Sequence, residues 1–330
     1  MKLKKYFAWS LMLIAVVISG GELFARYYLG LGTPPLSVAL PKIEYMFKPN
    51  QDLYRFGNHI IINQYGMRST SFASKKDDDE YRIMVFGDSV LNGGNLTDHC
   101  ELATTILQDK LNETSNKKII VGNISAGSWG PGNWLAYTDK YGFFDADVVV
   151  LVISSHDYSD NPTFQALNKN THPTKKPTSA FFEGITRYFL PRYLPQIGDD
   201  GNYKSAISEE KVNEKEVRKG LDDIKNFLSI ARNNSSKVLV LQHWEMSEIE
   251  NDSAKPGNQL IKEVCNSMGI SPISLEPYFS RSIRNGKNPY RDNIHPNQIG
   301  QQLIGLAIFE NLPNPALNSD AKGFRSLSLP

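Results

Sequence analysis

Ile83-Met84-Val85-Phe86-Gly87-Asp88-Ser89-Val90 is the stretch that decides how this chain is read. Four consecutive apolar residues closed by a glycine fit a short strand buried on both faces. The Gly-Asp-Ser that ends it carries a hydroxyl to the carboxyl edge of a sheet, the edge where open α/β folds bind ligands. Near the other end of the chain, Asp292-Asn293-Ile294-His295 precedes Pro296. The two stretches together supply the hydroxyl, imidazole and carboxylate that activate a serine nucleophile.

Working outward, strand and helix signals alternate. Strand-like runs lie at 82–86, 118–122, 147–153, 236–241 and 270–275, and helical patterns at 100–114, 133–141, 208–233 and 257–268. A last helix is expected over 296–311, with Ile299, Leu303, Ile304, Ala307 and Ile308 on one stripe and Pro296 in its first turn. Such alternation predicts a parallel sheet covered by helices on both faces. In that topology the loop holding Ser89 and the loop holding Asp292 and His295 open on one edge. The Pro-rich stretch 156–208, with an aromatic helix near 181–189, breaks the alternation and reads as an insertion over that edge. Residues 31–80 read as a linker and small leading segment with a short strand at 59–62. Residues 313–330 read as an irregular tail.

At the N-terminus, Lys2, Lys4 and Lys5 precede an uncharged apolar run from Tyr6 to Gly21. Positive charge before such a run keeps the amino end in the cytoplasm and exports the chain beyond it. The apolar pattern continues through Leu23, Phe24 and Ala25 to Tyr27 and Tyr28, an interfacial aromatic pair beside Arg26. Residues 1–30 are therefore expected to be an uncleaved signal anchor, with a domain at 81–312 on the extracytoplasmic side: the periplasmic face of the inner membrane in a Gram-negative cell.

The 330 residues, 40% of them hydrophobic, can build one large α/β domain with additions. A net charge of +1 gives no general attraction to nucleic acid, and no zinc-finger spacing or dinucleotide fingerprint occurs. Two cysteines, Cys100 and Cys265, exclude a disulfide scaffold. No two histidines show metal-ligand spacing, so neither metal nor cofactor is expected.

The order Gly-Asp-Ser, then Asp-x-x-His, resembles the SGNH (GDSL-type) hydrolases, in a membrane-anchored bacterial form, over about residues 81–311. The resemblance implies a flavodoxin-like parallel sheet sandwiched by helices. It also implies a catalytic triad of Ser89 as nucleophile, His295 as general base and Asp292 as its orienting carboxylate. The family's second block supplies an oxyanion-hole glycine after a strand ending in Asn. Here Gly122-Asn123 leads to Gly127 by residue type or Ser128 by spacing. The third block normally reads Gly-x-Asn-Asp; here it is Ser154-Ser155-His156-Asp157, which puts His156 where the family has an oxyanion-donating Asn. The oxyanion hole is thus expected from Ser89, Gly127 or Ser128, and His156. Substrate contacts are expected from His243 and Asp157. The implied activity is a serine esterase acting on small acyl esters such as O-acetyl groups of cell-envelope or exported polysaccharide. An O-acyltransferase with the same triad, or a non-catalytic assembly or binding protein of an envelope polysaccharide system, are the alternatives. The implied partners are an acylated carbohydrate and, through the N-terminal helix, a membrane.

Overall fold

The computed structural model describes residues 2–193 and 213–313; residues 194–208 of the expected insertion and 314–330 of the expected tail lie outside it. The leading segment holds more structure than its sequence predicts. Strand β1 (Ser37–Leu40) pairs with β2 (Glu44–Phe47) and β3 (Gln51–Arg55) with β4 (Asn58–Ile62), both antiparallel. Five further strands among the described residues form one parallel sheet: β5 (Glu80–Gly87), β6 (Lys118–Ser125), β7 (Val148–Ser154), β8 (Lys237–His243) and β9 (Ile273–Ser274). Their order is β6-β5-β7-β8-β9. That is the flavodoxin-like doubly wound order, and chain direction across the sheet reverses between β5 and β7, where ligand crevices open.

Every residue of β5 and β7 is buried, as continuous apolar runs between two helix layers require. One face packs Phe86, Val149 and Leu151 against Trp134, Phe227 and Ile261. The other packs Ile83, Val85 and Val150 against Leu107, Leu303 and Ile304. β9 is only two residues long rather than the six expected, because Pro272 has no N–H to give the ladder and pairing starts after it. The last helix begins at Gln298, not Pro296. The Asn297 side chain caps it by accepting from the Ile299 and Gly300 N–H groups. Helices Met246–Glu250 and Glu276–Arg284 carried no clear sequence signal.

The N-terminal helix Lys2–Leu23 continues into a π turn, Phe24–Tyr28. Lys4–Tyr28 contains an 18-residue window with a mean hydropathy of 1.8 and is long and apolar enough to cross a membrane. At its far end the Glu22 carboxylate accepts from the Ser179 hydroxyl and from the backbone N–H groups of Ala180 and Phe181, the start of helix Ala180–Glu183. Arg26 pairs with Glu22 at 2.5 Å. The insertion is tied in the same way to the leading segment. The buried Glu183 carboxylate accepts from the Arg55 guanidinium at 2.5 Å and from the Gly32 N–H at 2.6 Å. Of the insertion's aromatic residues, Tyr188 packs edge-on against Phe56, whereas Phe182, Phe189 and Tyr193 are exposed. Cys100 is exposed and Cys265 buried, and both are free thiols.

The loop after β7 is clasped by three glycines. A Cβ added at Gly130, Gly220 or Gly257 would lie 2.1, 2.2 or 1.8 Å from the carbonyl oxygens of Asp160, Tyr158 and Ser155. Three helix backbones therefore sit flush on residues 155–160, and that loop cannot shift without moving them. Gly257→Ala is expected to lower stability by about 1–3 kcal/mol through overpacking, read as a lower urea midpoint. An unchanged midpoint would show that the clasp is not tight.

Candidate active site

The buried strand β5 ends at Gly87, and Asp88 then caps the short helix Ser89–Asn92 by accepting from the Val90 N–H at 2.8 Å. This sharp turn stands the Ser89 hydroxyl at the carboxyl edge of the sheet. The segment after it is held from below by Arg68, which is fully buried. Its guanidinium donates to the carbonyls of Asn92, Gly94 and Thr97. Burial pulls Arg68 down to about 10, still charged at neutral pH.

The loop before the last helix closes on itself. The Arg291 N–H donates to the His295 carbonyl at 2.8 Å, and the His295 N–H donates to the Asp292 carboxylate at 2.8 Å. The same carboxylate faces His295 Nδ1 at 2.8 Å, and Nε2 lies 3.0 Å from the Ser89 hydroxyl. A carboxylate only accepts, so Nδ1 carries the proton and Nε2 is left to accept from Ser89. Burial raises the Asp292 carboxyl, but the N–H groups of His295 and Ile294 and the imidazole hold it below its ordinary range. The structure thus brings Ser89, His295 and Asp292 into one hydrogen-bonded row.

The other expected contacts fall differently. His156 does not turn its ring toward the Ser89 cavity. Its Nε2 lies 3.1 Å from Asp88, and its Nδ1 lies 3.7 Å from Glu245. Burial lowers the imidazole, but Asp157, Asp88 and Glu245 outweigh it and raise it well above its ordinary value. The N–H facing Asp88 is spent there rather than on an oxyanion. His243 is not a substrate contact: it is wholly buried and donates through Nε2 to the Ile294 carbonyl at 2.8 Å, bracing the Asp292–His295 loop from beneath. Burial lowers it to about 4, which keeps it neutral. Asp157 is equally buried and accepts from the Ser154 N–H at 2.7 Å, so it too is out of a substrate's reach. Asp88, His156 and Asp157 have ligand-type atoms within 4.8 Å of one another. Asp88 is already satisfied by Val90 and His156, the arrangement of an ion pair.

Ser89 and His295 open into a cavity of about 190 Å³. Gly127 lines it with open space where a Cβ would stand, while Ser128 is exposed and in the left-handed region at φ 56°. The Gly127 carbonyl accepts from the Tyr45 hydroxyl, which fixes the peptide's orientation. The remaining walls come from parts with no motif: Tyr45 and Phe47 of β2, His172 and Arg187 of the insertion, and Asn92 and Arg291. Asn92 and Arg291 had a usable signal, since one lies a helical turn after Ser89 and the other directly before Asp292. Tyr45 and His172 had none.

No protein-family model and no curated protein sequence matches the chain. Solved structures align over most of their own length. LAE5, an α/β hydrolase enzyme from the metagenome of Lake Arreo, Spain, is 16% identical with a TM-score of 0.45, over 72% of this chain and 97% of that one. Axe2, an acetylxylan esterase from Geobacillus stearothermophilus, is 11% identical with a TM-score of 0.44, over 72% and 97%. A lipolytic protein of the G-D-S-L family from Veillonella parvula is 12% identical with a TM-score of 0.41, over 70% and 98%. Function is therefore read from the site's own geometry.

The raised His156 imidazole makes a pH prediction. Its contribution to stability is fully present below about pH 6.5, the unfolded value, and is lost as pH rises through the raised folded value. The melting-temperature gap between the wild type and His156→Gln is expected to be wider at pH 6 than at pH 9. A gap constant across that range would remove the charged pair with Asp88.

Proposed function

We propose that the chain is an SGNH-type serine esterase acting on O-acyl groups, acetyl above all, of cell-envelope or exported carbohydrate. The observation that carries this is the row Ser89, His295 and Asp292, with gaps of 3.0 and 2.8 Å at a cavity mouth. The Ser89 oxygen attacks the ester carbonyl as its proton passes to His295 Nε2, and Asp292 holds the imidazole's tautomer and stabilises the imidazolium. The negative oxygen of the tetrahedral intermediate is received by the backbone N–H groups of Ser89 and of Gly127 or Ser128, each donor worth about 3–4 kcal/mol. His156 acts one step back: it holds Asp88, and Asp88 holds the turn that presents Ser89. His295 then returns the proton to the departing sugar oxygen. The acyl group leaves Ser89 for water, or for a sugar hydroxyl in an acyltransferase reaction. A small cavity of this size suits a short acyl chain.

The N-terminal helix is proposed as an uncleaved anchor that holds this domain outside the cytoplasm. Its support is continuity. The helix runs through Gly20 and Gly21 without a break, and a Cβ at Gly21 would meet the Phe181 ring at 2.6 Å. Cleavage there would discard the helix that Glu22 and Gly21 fix against the insertion. The exposed Phe182, Phe189 and Tyr193 lie on the helical stretch that starts at this junction, as aromatics at a lipid–water interface do.

Ser89→Ala is expected to lower release of acetate from 4-nitrophenyl acetate and from an O-acetylated polysaccharide by about 10⁴-fold or more, with an unchanged melting temperature. Residual turnover within tenfold of the wild type would sink the esterase reading. An unacetylated acceptor in the same assay reads transfer against hydrolysis. N-terminal sequencing of protein recovered from membranes is expected to return the lysine-rich start. A chain beginning near Gly21 or Glu22 would sink the anchor while leaving export intact.

A further inference from the structure

The cavity in front of Ser89 has a one-sided charge. Among the described residues, two guanidiniums line it, Arg187 from the insertion and Arg291 from the loop of Asp292 and His295, and no carboxylate does. Of the acidic groups nearby, Asp160, which acts on Tyr45, is pushed up to about 6 by burial, and the others are committed elsewhere. Asp292 is bonded to His295, Asp88 to His156, and Glu44 to the N–H groups of Thr163 and Phe164. Glu183 sits between two guanidiniums, Arg55 at 2.5 Å and Arg187 at 3.2 Å. One carboxylate between two cations leaves one positive charge over.

Arg291 is less satisfied still. Among the described residues it forms no ion pair, and its guanidinium has one hydrogen bond, to the Gly93 carbonyl at a marginal 3.5 Å. It is partly buried, so water does not fully replace the missing partners. Arginine stays charged and presents a planar fork matched to a carboxylate. The third basic side chain in the wall, His172, is lowered by burial and contributes no charge at neutral pH.

We propose that this site is built for an acidic saccharide: the acylated sugar, or its neighbour in the chain, bears a carboxylate that Arg291 receives, with Arg187 adding to the local positive potential. This rests on the esterase reading and names its substrate class. Arg291 is next to Asp292 in the chain, so the group that binds the anion and the group that orients the base move as one loop. Engagement of the carboxylate thereby registers the ester over Ser89.

The test compares acetate release by the full-length protein, in detergent or nanodiscs, from two probes. One is an O-acetylated oligogalacturonate; the other is the same oligomer with its carboxyls converted to methyl esters. The expected ratio of kcat/KM favours the free acid by about 10–100-fold, the scale of a hydrogen bond between charged groups, and shrinks in high salt. Arg291→Gln should bring the ratio close to one, and Arg291→Lys should retain part of it. Equal rates on the two oligomers, or a ratio untouched in Arg291→Gln, overturn the proposal and leave the esterase standing. So does activity on 4-nitrophenyl acetate with none on either oligomer. If Arg291→Gln does not fold, the wild-type ratio and its salt dependence decide alone. No acetate from any of the three substrates would instead overturn the esterase reading.

Discussion

The turn that presents Ser89 depends on one buried carboxylate. Asp88 leaves the end of β5 with almost no solvent contact, and an unpaired charge there would cost several kcal/mol. Three donors satisfy it: the Val90 N–H, which starts the short helix, His156, which comes from the loop after β7, and, at a longer 3.5 Å, the Ser154 hydroxyl at the end of β7. β5 and β7 are neighbours at the point where the sheet's winding reverses. The pair therefore closes the crevice floor from both sides. Burial raises Asp88, but the imidazole and the Val90 N–H outweigh it and hold the carboxyl low, as a charged pair requires. Asp157 lies buried beside them, its carboxyl raised by burial and by Asp88. The glycine clasp around residues 155–160 keeps His156 where Asp88 needs it.

A second set of buried charges attaches the outer parts to this floor. Arg55 and Glu183 join the leading hairpins to the insertion, and Glu22 joins the N-terminal helix to the same insertion. Trp129 and Asn133 donate to the carbonyls of Tyr45 and Ile43 and fix the first hairpin on the sheet's helices. Each contact fixes a segment that either walls the cavity or carries the N-terminal helix. The cavity is consequently bounded by elements far from Ser89 in the chain, from Tyr45 on one side to His295 on the other.

That distribution explains what could be read from the sequence. β5, β7 and the last helix were legible because full burial writes a continuous apolar run or a regular stripe. The Ser89 and His295 loops were legible because a parallel sheet sends both to one edge. The hairpins at 37–55 were not. β1 is only half-buried, and the turns use Glu44, Asn50 and Phe56 at positive φ, with a glycine, Gly57, in only the last of them. His156 was placed by its position in a motif. Its partner is decided by Asp88, 68 residues away, which no local pattern reveals. His243 looked like a binding residue because it ends a strand at the right edge, but burial turns it into a support for the loop above it.

The same division of labour explains how the site tolerates a histidine where a neutral amide donor is expected. An imidazole beside the ester would compete with His295 for protons and could lose its donor role as pH changed. Committed to Asp88, it cannot do so: its charge is matched, its Nε2–H is occupied, and its effect on Ser89 passes through the geometry of a capped turn. In the proposed reaction the oxyanion is then left to backbone N–H groups, which have no protonation state to lose. Positive charge in the cavity comes instead from guanidiniums, which remain charged throughout the working range. In the proposed reaction the groups that must titrate and those that must not are thereby kept on different residues, with only His295 asked to exchange a proton.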